Sequence, residues 1–172
     1  MVRLSISFIA MALLLGCTSK KEMDLMQAYS EKVNYHKQLQ KTEKIQLYQD
    51  NVTKAMLTAT YLYTPNFEKN DTRDEAFIVG VHLEDQTSGQ INTHGNTLTL
   101  NGKTAKEIKA LSLDDEQLKD ISFVTPWSSY YLVTFPHQSN KKITLVFESE
   151  LYGKGELHFA KVAKYVFDKE IY

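Results

Sequence analysis

Cysteine occurs once in 172 residues. A lone thiol excludes an internal disulfide and a cysteine-built zinc cage. Glycine numbers 7 and proline 3, too few for a collagen-like or low-complexity chain. Neither sign of charge dominates: 20 Lys and Arg stand against 21 Asp and Glu, for a formal net charge of -1. That balance supplies no overall pull toward nucleic acid. Beyond residue 17 the apolar runs are short, such as Phe77-Ile78-Val79, so no later segment reads as a spanning helix. There is no Gly-x-Ser-x-Gly and no glycine-rich phosphate loop. No cofactor and no enzymatic activity are expected on these grounds. What is present is ordinary globular usage, 42% hydrophobic and 24% charged, in a length suited to one domain.

The first residues differ from the rest. Arg3 supplies a positive start, and residues 4–15 are apolar except for Ser5 and Ser7. Such a stretch fits the apolar region of a signal peptide and falls short of the roughly 20 residues of a spanning helix. It ends in Leu14-Leu15-Gly16-Cys17. This tetrapeptide resembles the lipobox of bacterial lipoproteins. The resemblance implies that residues 1–16 are removed, that the Cys17 thiol carries a diacylglycerol, and that the new N-terminus is acylated, commonly with palmitate. Residues 17–21 then form the lipidated tether. Two or three acyl chains give stable anchoring where one does not. The implied location is the cell envelope, with the membrane as partner through Cys17. Thr18 rather than Asp after the cysteine favours the periplasmic face of the outer membrane in a host that has one.

Residues 22–50 lack Gly and Pro and are rich in Lys, Glu, Leu and Gln, which predicts a helical segment. Its apolar stripe is too thin for a coiled coil, which leaves a helix partly docked on the domain or a solvated spacer. From residue 54 the period shortens to two. Leu57, Ala59 and Tyr61 alternate with Thr58, Thr60 and Leu62, and Phe77, Val79 and Val81 alternate with Ile78, Gly80 and His82. Thr97 to Ala105 reads as a hairpin about Asn101-Gly102. Beyond that turn Ile108 falls out of phase with Leu98 and Leu100, which predicts a bulge or a strand exit near Glu107. Ser112 and Asp115 suggest a capped helical turn. Strands follow over Tyr131 to Phe135, Ile143 to Phe147, and from Leu157 onward. The expected fold is mainly β with an N-terminal helix. Residues 54–167 form a six- or seven-stranded antiparallel β-sandwich, immunoglobulin-like, or a small barrel.

Candidate chemistry is sparse. His82 and Glu84 share a strand face near Asp85 and His94, where they can converge on a metal ion, although no spacing matches a metal motif. They define the alternative reading, a metal- or ligand-dependent periplasmic enzyme. The oxygen-rich loop around Asn66, Asn70, Asp71 and Asp74 lacks the ligand order of a calcium loop. Trp127, Tyr130 and Tyr131 crowd one segment between Pro126 and Pro136. Aromatics at such density either pack a core or form an interface hot spot, and they are the candidate partner-binding residues. Tyr130 and Tyr131 must point to opposite faces of a strand, so in a two-layer sandwich both cannot be core. The leading reading is a non-enzymatic binding or scaffold module for an envelope protein. A third option is a factor that accepts a client strand at an open sheet edge.

Overall fold

The computed structural model describes residues 20–65, 71–84, 91 and 95–161. Cys17 and the lipobox, His94 and Asp85, Asn66 and Asn70, and the last residues of the expected 54–167 domain lie outside the described residues. The chain divides into two units, Met1–Val33 and Asn34–Tyr172. In the first, α1 (Lys20–Glu31) exposes Met23, Leu25, Met26 and Tyr29. No helix among the described residues is long and apolar enough to cross a membrane.

The second unit is mainly β. A short α2 (Val33–Leu39) leads into β1 (Thr42–Gln49), β2 (Val52–Tyr61) and β3 (Glu75–Leu83). β4 (Asn96–Leu100), β5 (Lys103–Thr104) and β6 (Glu107–Leu111) follow, then β7 (Ser129–Phe135), β8 (Lys142–Ser149) and β9 (Gly153–Ala160). They form two antiparallel sheets, one in the order β1-β2-β3-β7-β6 and the other β5-β4-β8-β9. Among the described residues the sheets do not close into a barrel, because β1 and β9 share no hydrogen-bonded ladder.

The period-two pattern positions the core. Leu57, Ala59 and Tyr61 pair with Val81, Val79 and Phe77, and all six join Leu98, Leu145 and Leu157 of the other sheet in one buried cluster. The arrangement is sandwich-like. At the Asn101-Gly102 turn both residues have positive φ, 47° and 78°, as a type I′ hairpin requires. The predicted exit also occurs: Lys106 N donates to Thr134 O at 2.7 Å, and β6 crosses to pair with β7 in the other sheet. That transfer brings Ile108 against the shared core.

Three expectations are corrected. The helical segment does not reach residue 50, since residues 42–49 are an edge strand. Ile45 and Leu47 alternate toward the core there, and Leu47 is buried. The cap of the 3-10 turn Glu116–Leu118 is Asp115, whose side chain accepts from Gln117 N at 2.9 Å, rather than Ser112. Tyr130 and Tyr131 do emerge on opposite faces, yet both pack. The β6–β7 connection covers the outer face of the five-stranded sheet, so Tyr130 joins Ile78, Leu111, Leu118 and Ile121 in a second cluster. Tyr131 packs against the inter-sheet core.

Candidate functional site

The aromatic trio is separated by the fold. Tyr130 is 3% exposed. Its ring lies across Gly80, where an added Cβ would come 2.7 Å from Tyr130 Cε1. Its hydroxyl accepts from Thr125 N at 2.6 Å and donates back to Phe123 O at 3.2 Å. Tyr130 therefore ties down the connection that covers it. Tyr131 is half-buried. Trp127 alone stands out, 65% exposed, on the same connection. His82 Nδ1 donates to the Trp127 carbonyl oxygen at 3.0 Å. Glu84 is paired with Lys54 at 2.8 Å. His82 and Glu84 thus serve different partners, and among the described residues no group of His, Cys, Asp or Glu is arranged to hold a metal. Asp71 and Asp74 are likewise engaged, with Arg73 and Lys106, each at 2.7 Å.

The sequence reading missed a cleft of about 600 Å³ at one end of the seam between β1 and β9. Its walls come from the α2–β1 junction, the end of β2, the start of β8 and the end of β9. Lys41, Tyr61, Tyr63, Lys142, His158 and Phe159 are among the residues lining it. At the other end the two edge strands close on each other. Gly155 there has Ile45 and Leu47 against its backbone, and an added Cβ would meet Ile45 Cδ1 at 2.4 Å. The bare glycine is what lets the edges touch at that end.

A buried carboxylate braces the floor. Glu75, at the start of β3, is 1% exposed. Its Oε1 accepts from Gln138 N at 2.8 Å and pairs with Lys161, and His137 Nδ1 lies 3.7 Å away. Its Oε2 accepts from the Tyr61 hydroxyl. Burial, reinforced by the bond to Glu75, pushes the Tyr61 phenol far above its usual pKa, so it remains a donor. Lys161 also donates to Gln138 O. One carboxylate thereby joins the ends of β2 and β9 to the β7–β8 connection. Tyr61, Tyr63 and Phe77 stack along the inner face, with centroids 5.5 and 4.7 Å apart. Arg73 and Lys161 lie 5.3 and 5.4 Å from the Tyr63 ring, within cation–π range.

The lining is cationic. Lys41 Nζ donates to Tyr63 O at 2.7 Å. Burial, and then the nearby Lys37 charge, lower its pKa. Neither Lys41 nor Lys142 has a carboxylate partner among the described residues. Lys161 is neutralised by Glu75, and Glu43 is the one carboxylate among the described lining residues. Thr144 Oγ1 lies 3.2 Å from His158 Nδ1 across the β8–β9 ladder. An apolar floor with a few convergent polar groups, in this size range, suits a bound ligand. Compared with protein-family models, curated proteins and solved structures, the chain matches none.

Proposed function

We propose that the protein is a lipid-anchored component of the bacterial cell envelope whose β unit binds a ligand or partner without catalysing a reaction. The anchor rests on Leu14-Leu15-Gly16-Cys17. The binding role is carried by one observation, the braced cleft in which Lys41 and Lys142 face no carboxylate partner among the described residues. The enzyme alternative built on His82 and Glu84 is weaker, because those side chains are bonded to Trp127 and Lys54. Thr18 supports the periplasmic face of an outer membrane. For the fold we retain the β-sandwich, while the uninterrupted β1-β2-β3 meander argues against the immunoglobulin strand order.

Two measurements test the reading. A fatty-acid analogue should label the wild-type chain in cells and fail to label Cys17→Ser. Undiminished label on the mutant overturns the anchor. A photo-crosslinking side chain at Thr144, inside the cleft, should form an adduct in cells, whereas one at the exposed Lys109 should not. Equal adducts at both positions, or none at Thr144, overturn the cleft as the binding site.

A further inference from the structure

The cleft has a feature that a small-molecule pocket does not need. Among the described residues β9 is the last strand of its sheet, and one side of its backbone faces away from β8. The phase follows from the hydrogen bond of Lys161 N to Lys141 O at 2.8 Å. In an antiparallel ladder the N–H and C=O of one residue point to the same side, and successive residues alternate. Phe159, two residues before Lys161, therefore turns its backbone toward β8. His158 and Ala160 turn theirs into the cleft. Opposite them, Tyr61 N donates to Lys41 O at 3.0 Å, which by the same rule turns the Thr42 backbone away from β2 and toward the seam. Exposed edges of this kind are usually blunted or covered. Here Ile45 and Leu47 cover β9 at Gly155, while no described residue covers the stretch at His158 to Ala160.

The side chains around this edge divide by face. Lys142, exposed and opposite Ala160 in the ladder, stands with His158 on the outer side. Phe159 and Ile143 are buried on the inner side, beside Tyr61. A strand laid on the edge alternates its own side chains between those two sides.

Building on the binding-module reading, we propose that the cleft takes an extended acidic peptide segment, which pairs its backbone with β9 at His158 and Ala160. Its carboxylates face Lys142 on the outer side, and its alternate apolar side chains lie over Phe159 and Tyr61 on the inner side. The main-chain bonds supply affinity and the alternation supplies selectivity, as in strand addition generally.

The test uses the full chain in detergent and a fluorescent peptide alternating glutamate and valine, blocked at both ends, followed by anisotropy. The peptide should bind, and a lysine–valine counterpart should not. N-methylation of the amides on one edge of the peptide should abolish binding, and methylation of those on the other edge should not. Lys142→Glu, at an exposed position, should weaken binding roughly tenfold by charge reversal, and Lys109→Glu should leave it unchanged. Ala160→Pro removes an edge-facing N–H without breaking a ladder bond, a substitution that edge strands tolerate, and should also weaken binding. Equal binding of the lysine peptide, or of peptides methylated on either edge, overturns the proposal. If glutarate competes for a Thr144 crosslink and the peptide does not, the ligand is a small dianion. That result overturns the peptide while preserving the binding site. Loss of the Thr144 adduct altogether removes both.

Discussion

Glu75 shows how much one side chain can organise. A carboxylate at 1% exposure is tolerable only when its oxygens are met by donors, and here Tyr61, Gln138 N and Lys161 meet them. The Lys161 side chain is itself only 12% exposed. Glu75→Gln leaves that ammonium buried without its counter-charge, and should cost about 3 kcal/mol or more. Urea melts of the wild type and mutant check this, and a loss below about 1 kcal/mol would mean the cluster is not a brace. The aromatic segment separates in the same way. Trp127→Ala should change stability by no more than about 0.5 kcal/mol, as exposed substitutions do. Tyr130→Phe, which strips a partner from Thr125 N and Phe123 O, should cost about 1–2 kcal/mol. Melting both mutants side by side decides the ordering, and a larger loss from Trp127→Ala contradicts the assignment of Trp127 to the surface.

Among the elements, β1 carries the least obvious role. It hydrogen-bonds along β2, contributes Leu47 to the core, and walls one side of the cleft with Lys41 and Glu43 at its start. A chain beginning at residue 54, the boundary that periodicity suggests, would leave β2 as an edge whose residues from Leu57 to Tyr61 are buried. Such an unprotected apolar edge favours association. Purified chains beginning at residue 54 should aggregate or lose a cooperative thermal transition, and chains beginning at residue 34 should retain one. Equal cooperativity in the two would show β1 to be dispensable. β1 was partly legible: Ile45 and Leu47 stand two apart, and Asp50-Asn51 is a pair that tolerates positive φ, here 52° and 63°. The surrounding Glu, Lys and Gln favour a helix on propensity alone. Pairing with β2 overrides that preference, because strand propensity is largely a matter of neighbours.

For the molecule as a whole, acid sensitivity follows from its surface pairs. Arg73 holds Asp71 well below the usual carboxylate range, and Lys106 lowers the pKa of Asp74 as Lys154 lowers that of Glu156. A carboxylate with a depressed folded-state pKa contributes its full stability above the unfolded value, near 4, and loses it as pH falls through the folded value. The groups are exposed and solvent screens them, so each contribution is small. The urea midpoint should hold from about pH 7 to 5 and decline below about 4. In Asp71→Asn with Asp74→Asn the acid decline should be shallower. A midpoint that rises on acidification, or an unchanged slope in the double mutant, contradicts this account.

Local patterns determined a good deal. Alternation set the inward faces of β2, β3, β7 and β8, Asn101-Gly102 set a turn, and the phase of Ile108 called for a bulge or a strand exit near Glu107. Each depends on residues only a few positions apart, where side-chain period and backbone sterics act directly. The expectation of a lipid on Cys17 is of the same local kind, a tetrapeptide and the run before it. The cleft belongs to the other category. Lys41, Tyr63, Lys142 and His158 come from four separate stretches, and nothing in their spacing draws them together. Only the stacking of two sheets, the contact at Gly155 and the pull of Glu75 on three chain segments place them around one space. Burial of Tyr130 was hidden for the same reason. Period two shows which way a side chain points, but whether that side meets water or a covering connection is settled by long-range packing.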